Sequence, residues 1–221
     1  MKLSDNTLSV LKNFSSINSG LVMQKGKIQK TISPEKSILV EAELDDDLPE
    51  QFGIYDLNQF LGNISTLDNP ELEFTSNAVV MNDGVVKLNY HFCSTNLILS
   101  PPDKELLLKQ TDVSFTLTNV VLMKLLRLAA MNNFTHLSIV GKNGEIRLQT
   151  HEKGNDVSNH ASFKLNDYSG EDFVASFKVD NIKLIPEDYD VEIQLGAFAK
   201  FTASSGTFKD KIKYWIALEA K

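Results

Sequence analysis

An α+β chain of two similar domains is the fold this sequence predicts, and three observations predict it. Four segments place apolar residues at helical spacing. The stretches between them alternate apolar and polar residues and break at hairpin-type turns. The order helix, strands, helix, strands then occurs twice along the 221 residues.

The first helix is predicted over about 4–19, with Ser4 or Asp5 as its cap and Gly20 as its stop. Leu3, Val10, Phe14 and Ile17 fall on one face. Asp5, Ser9, Lys12, Ser16 and Ser19 fall on the opposite one, a small and hydroxylic face almost free of acids. The second helix, "YDLNQFLGNIST" over about 55–66, buries Leu57, Phe60, Leu61 and Ile64. The third spans about 118–133, capped by Thr118 or Asn119. It is apolar almost all round, and Lys124 and Arg127 share a narrow polar face at i, i+3. A short fourth helix is predicted over about 179–185, ended by Pro186.

"NDG" (82–84) and "KNG" (142–144) supply the positive φ that tight hairpins require, and "SSG" (204–206) and "SPEK" (33–36) are weaker signals of the same kind. Around them run the predicted strands 85–92, 137–141, 145–150 and 211–218. "YDLNQFLGNISTLDNPELEF…NDGVVKLNYHF" in the first half has its counterpart in "VDNIKLIPEDYDVEI…SSGTFKDKIKYWIA" in the second. The stretch about 100–112, with Pro101-Pro102 and mixed charges, reads as a connector. The predicted domains are therefore 1–108 and 109–221, each with two helices packed on antiparallel sheet.

Composition is that of an ordinary globular protein, 42% hydrophobic and 23% charged. No apolar run reaches the roughly 18–20 residues needed to cross a bilayer, and the start lacks the apolar core of a signal peptide. A lone cysteine, Cys93, fits a reducing compartment and reads as a small buried residue on a strand. The formal net charge is −7, yet the four helix windows (2–19, 55–66, 118–133, 178–185) hold six cations against three acids. That balance of +3 leaves −10 for the rest of the chain. The cations are Lys2, Lys12, Lys124, Arg127, Lys178 and Lys183. Read alone, Lys12, Lys124 and Arg127 could be an ordinary solvated stripe, Lys2 and Lys183 lysines of helix ends, Lys178 the end of a strand, and Lys25 and Lys27 a solvated hairpin tip.

No motif for chemistry emerges. "ELDDDLPE" (43–50) clusters acids without the glycine turn of a cation loop and reads as a solvated loop. His91, His136, His151 and His160 lack metal-ligand spacing, and His151 and His160 flank a polar loop that predicts exposure. No phosphate-cradling glycine loop or nucleophile motif occurs, so no metal, cofactor or catalytic residue is expected.

Five separated stretches, in register from first residue to last, carry a resemblance: "MKLS" (1–4), "VLKNFSSINSG" (10–20), "IYDLNQFLG" (54–62), "DYSGED" (167–172) and "YWIALEA" (214–220). The chain resembles the DNA polymerase sliding clamps of T-even-type bacteriophages. It departs from them around 66–112. The resemblance implies the DNA clamp fold and a homotrimeric ring with helices lining the hole and sheets outside. It implies a non-enzymatic processivity factor that encircles duplex DNA, tethers the replicative DNA polymerase and is loaded by an ATP-dependent clamp loader. It implies work in the cytoplasm of an infected bacterium.

On that implication Lys2, Lys12, Lys124, Arg127 and Lys183 face DNA, whose duplex carries a charge every ~1.7 Å. A few long cations and small hydroxyls would attract phosphates without fixing register or reading bases. A partner-peptide pocket is implied near the connector and the last strand, at Leu106, Leu107 and Leu108 with Tyr214, Ile216 and Leu218. Plain core is the competing reading of these six. Two other functions compete: a ring-forming phage structural or assembly protein, which needs no basic helix face, and a small enzyme built from scattered carboxylates.

Overall fold

The computed structural model describes residues 1–102, 104, 106–154 and 158–219. The chain divides into two compact units, 1–104 and 105–221.

In the first unit, α1 (Asp5–Ile17) buries Val10, Leu11, Phe14 and Ile17, while Asp5, Ser9, Lys12, Ser16 and Ser19 are exposed on or just beyond it. Its start is built by long-range chemistry. The Ser4 amide and hydroxyl both donate to Asp46 Oδ2, at 2.7 and 2.8 Å, and the same hydroxyl accepts the Thr7 amide at 3.2 Å. Asn6 Nδ2 donates to Asp45 Oδ2 at 2.6 Å. Asp45, Asp46 and Asp47 therefore do not form the solvated loop the sequence predicts. They are the last part of strand β3, where Leu44 and Leu48 hold the buried positions.

Strand β1 (Leu21–Met23) pairs with β4 (Phe52–Ile54), and β2 (Gly26–Ile32) pairs with β3 (Ile38–Leu48), both antiparallel. Helix α2 (Leu57–Thr66) packs beside α1, buries Leu57, Phe60 and Ile64, and starts on Asp56, whose carboxylate accepts the Gln59 amide at 2.9 Å. Strands β5 (Glu71–Phe74), β6 (Ala78–Asn82) and β7 (Lys87–His91) form an antiparallel meander. Met1 exchanges two backbone hydrogen bonds of 2.7 Å with Leu72 on β5. Cys93 sits half-buried in an isolated bridge to Gly53 rather than on a full strand.

The second unit repeats this plan. β8 (Val113–Leu117) leads into α3 (Asn119–Asn132), which buries Leu122, Leu125 and Ala129. Strands β9 (His136–Lys142), β10 (Glu145–His151), β11 (His160–Asp167) and β12 (Phe173–Lys178) form a sheet in the order β11-β10-β9-β12. β13 (Tyr189–Gln194) pairs with both β8 and β14 (Phe198–Ala203), and β14 pairs with β15 (Ile212–Ala217). The β1·β4 pair matches β9·β12, β2·β3 matches β10·β11, and the β5-β6-β7 meander matches β13-β14-β15. Met1 on β5 stands where β8 pairs with β13. The two-residue turn at Asn143 (φ 54°) and Gly144 (φ 80°) joins β9 to β10 as its residues predict.

The fourth predicted helix is a single 3-10 turn, Val179–Asn181. The cause lies far away in sequence. The Ile185 amide donates to the Tyr214 hydroxyl at 3.1 Å, and the Tyr189 hydroxyl donates to the Ile185 carbonyl at 2.6 Å. Both tyrosines are fully buried, and burial pushes both phenols well above their ordinary value. Because the Ile185 amide donates to Tyr214, it does not close a helical bond to the Asn181 carbonyl, which accepts the Lys183 amide at 3.0 Å. Ile182 and Ile185 reach the core regardless.

Candidate nucleic-acid interface

The predicted cations fall into three groups. Lys12 on α1, and Lys124 and Arg127 on α3, are exposed on helices. Among the described residues, none of the three has a carboxylate within ion-pair distance. Lys2 is exposed too but precedes α1, and Lys183 is half-buried beyond the 3-10 turn. Lys178 ends strand β12, with Nζ 3.8 Å from Glu219. The three true helices thus carry Lys12, Lys124 and Arg127 against the single acid Asp5. The charge contrast is narrower than the sequence windows suggest, but its sign holds.

The rest of these faces is neutral. Between its buried positions α2 exposes Asn58, Gln59, Gly62, Ser65 and Thr66, with no charge. On α1 the Ser15 and Ser16 hydroxyls donate back to the Lys12 and Asn13 carbonyls at 2.9 and 2.6 Å, and on α2 Ser65 and Thr66 do the same to Gly62. A hydroxyl whose proton is used this way presents an acceptor outward. Such faces neither repel a polyanion as carboxylates would nor grip it. α3 frames its two cations with exposed Val120 and Met131.

Two acids that sequence periodicity does not reveal position these faces. Asp46 holds the start of α1. Asp188 Oδ1 accepts the Asn119 amide at 2.7 Å at the start of α3, where the Thr118 side chain makes no cap. Ser205 steadies the other carboxylate oxygen of Asp188 at 3.1 Å. An anion at a helix N-terminus meets the positive end of the macrodipole and an unpaired amide. Burial would push the Asp46 carboxyl up, but the Ser4 donors outweigh it and hold it below the usual carboxylate range.

Four further strand cations are paired, whereas exposed Lys27, Lys87 and Lys142 on β2, β7 and β9 have no carboxylate within ion-pair distance among the described residues. Lys30 meets Glu41 at 2.8 Å, Arg147 meets Glu145 at 2.8 Å, Lys164 bridges Glu145 and Asp167 at 3.1 and 2.7 Å, and Lys200 meets Glu192 at 3.5 Å.

The predicted peptide pocket is partly overturned. Tyr214 and Ile216 are fully buried in the core of the second unit, and the Tyr214 hydroxyl is occupied by Ile185. Leu106 and Leu107 are exposed, the latter at 65%, while Leu108 and Leu218 are half-buried. No group of three or more His, Cys, Asp or Glu is arranged for a metal ion among the described residues, and no helix among them is long and apolar enough to cross a membrane.

Known proteins resemble this chain in sequence and in fold. The DNA polymerase processivity factor family matches residues 3–86. Over the whole chain the sequence is similar to three proteins named sliding clamp. That of Vibrio phage KVP40 is 27% identical, with all of both chains covered. That of Escherichia phage RB69 is 28% identical and that of Enterobacteria phage T4 29%, each with all of this chain and 97% of the relative covered. The fold is that of proliferating cell nuclear antigens. The A. fulgidus protein, solved with the C-terminal region of FEN-1 bound, superposes with a TM-score of 0.72 at 12% identity, over 97% of this chain and 95% of that one. The Entamoeba histolytica protein gives 0.68 at 17% identity, over 99% and 98%.

Proposed function

We propose that the chain, similar over its whole length to T-even-type phage sliding clamps, encircles duplex DNA and tethers the replicative DNA polymerase to it. It is a processivity factor with no chemistry of its own, loaded by an ATP-dependent clamp loader in the cytoplasm of an infected bacterium. The observation that carries the DNA-facing role is the set of helix cations Lys12, Lys124 and Arg127, without a carboxylate in range among the described residues, on faces whose other exposed residues are uncharged apart from Asp5 at the start of α1. Lys2 and Lys183 belong to that role only at its margin, because neither lies on a helix.

A closed trimer supplies the encircling. Its support is two open sheet edges. Among the described residues β7 pairs only with β6, and β11 only with β10. On β7 Leu88 and Tyr90 are half-buried, and on β11 Phe163 is 46% exposed. Two different edges joined head to tail make a heterologous contact, which closes into a ring when the rotation allows it. Polymerase and loader peptides dock on the exposed leucines Leu106 and Leu107 of the second unit, to which half-buried Leu108 and Leu218 also belong.

Retention on DNA tests the proposal. After loading onto a nicked circle, the protein should co-elute with the DNA and be lost when the circle is linearised. Equal retention on circle and linear duplex would refute encirclement. Light scattering should show a species near three times 24.7 kDa. A strict monomer at high concentration would refute the self-assembled ring.

A further inference from the structure

The segment that carries the docking leucines is held at its two ends by side chains. Upstream, Asn18 Nδ2 donates to the Leu99 carbonyl at 3.2 Å and to the Ile32 carbonyl at 3.0 Å, while its Oδ1 accepts the Gly20 amide at 3.1 Å. Downstream, Gln194 Oε1 accepts the Lys109 amide at 3.0 Å. Between these points, none of residues 100–102, 104 and 106–108 hydrogen-bonds another described residue. The course of this stretch is therefore set from its ends.

The downstream end lies in the same unit as the leucines, and its bonds are reciprocal. Gln194, the last residue of β13, reaches to Lys109, and Asp112 Oδ2 reaches back to accept the Leu195 amide at 2.7 Å. Gln110 Nε2 donates to the other carboxylate oxygen of Asp112 at 2.8 Å. The Asp112 amide donates to the Ile193 carbonyl at 2.9 Å. The pairing of β13 with β8 ends at Ile193 and Val113, and beyond it side chains take over from backbone in holding the connector.

The turn 195–197 between β13 and β14, with Gly196 at φ 75°, receives the connector on one side. On the other, its Ala197 carbonyl accepts the Leu218 amide at 3.0 Å. The turn also carries Leu195, 37% exposed. One turn thus bonds both the residue after Leu108 and the residue Leu218.

We propose that Gln194 and Asp112 form a clasp that locks the end of the connector onto the β13–β14 turn, and that Gln194 is a positioning residue for partner docking at Leu106 and Leu107. The positioning role rests on the docking reading given above; the clasp itself does not.

The physical reason is preorganisation. With the clasp closed, the chain is fixed from Lys109 onward, directly after Leu108. With it open, the next backbone bond is that of Asp112 to Ile193, and residues 109–111 keep only the 3.4 Å contact of the Thr111 hydroxyl with Glu192. A partner that seats the leucines must then order those residues on binding, and its affinity falls.

Two measurements on the full chain test this. Amide exchange at Lys109 should speed up about fivefold in Gln194→Met, which keeps the side chain's length and removes its acceptor, the scale of one exposed hydrogen bond. Gln194→Glu keeps an acceptor oxygen and should restore the slow rate. Asp112→Ala should speed exchange at Leu195 by a similar factor, which keeps the test valid if Gln194→Met does not fold. Titration with the replicative DNA polymerase should then show affinity about fivefold weaker in Gln194→Met and Asp112→Ala, and restored in Gln194→Glu. Unchanged exchange at Lys109 in Gln194→Met overturns the clasp. Faster exchange with unchanged affinity, where Leu106→Asp/Leu107→Asp does weaken polymerase binding, overturns the positioning role and keeps the docking reading. If the leucine variant binds polymerase as the parent does, the docking reading fails, and the positioning role falls with it.

Discussion

The helix cations and four of the strand cations in this protein sit in opposite surroundings. Lys30, Arg147, Lys164 and Lys200 each lie within 3.5 Å of a strand glutamate. Lys12, Lys124 and Arg127 stand on exposed helix faces without a carboxylate in range among the described residues. An exposed ion pair contributes only ~0–1 kcal/mol, so the strand pairs do little for stability. They do cancel their own charge locally. On α1 and α3 the cations stand without local neutralisation, where a polyanion can use them, although exposed Lys27, Lys87 and Lys142 on β2, β7 and β9 likewise have no carboxylate within ion-pair distance among the described residues.

Breaking the helix side of that contrast should have the largest effect. Lys12→Glu, Lys124→Glu and Arg127→Glu together should reduce polymerase stimulation by an order of magnitude or more. Neutralising the three with Gln should lower the salt-dependence slope of DNA association by up to about 2.7, about 0.9 for each phosphate left without its cation. An unchanged slope would mean these side chains do not meet phosphates.

The helices must also be held in place, and here the two units use one device. Asp46→Ala should destabilise the first unit by about 1–2 kcal/mol and Asp188→Ala the second by a similar amount, the scale of a lost N-cap. Denaturant melts would measure both. A loss below ~0.3 kcal/mol for either would show that its bonds to the Ser4 or Asn119 amide are replaced by water.

Acid should separate the units more gently. His136 has a lowered proton affinity in the folded state, so its contribution is present above the ordinary imidazole value, about 6.5, and is lost as pH falls below it. Asp46 is a carboxyl held low, so its contribution persists above about 3.9 and is lost only as pH falls through its folded value. Between pH 7 and 5 hydrogen exchange should therefore speed up around His136 on β9 and leave α1 protected. Early loss at α1 would contradict this order.

The smallest effect belongs to the strand pairs. Lys30→Ala should cost about 0.5 kcal/mol or less and leave polymerase stimulation unchanged.

Local patterns were legible in the sequence. The apolar face of α1, its exposed Ser9, Lys12 and Ser16, and the Asn143-Gly144 turn all follow from spacing and turn chemistry within a few residues. What was not legible depends on partners distant in the chain. Asp46 looks like one of a solvated acidic run until β3 brings it to Ser4, 42 residues away. "VDNIKLI" has helical spacing, but Tyr189 and Tyr214 take both backbone groups of Ile185. Tyr214 and Ile216 alternate as a shared face should, yet alternation does not say which face is buried, and both lie in the core. The stacked pair of His136 and His151 is invisible to spacing because the two rings meet only through strand register.

The most direct test of the helix assignment sets its two classes of cation against each other in one assay. Product length on a singly primed circular template would be measured with polymerase, loader and either Lys12→Gln/Lys124→Gln/Arg127→Gln or Lys30→Gln/Lys164→Gln/Lys200→Gln. The two variants remove the same charge. The helix variant should shorten products and the strand variant should not. Equal shortening by both, or shortening by the strand variant alone, would contradict a DNA-facing role for the helices.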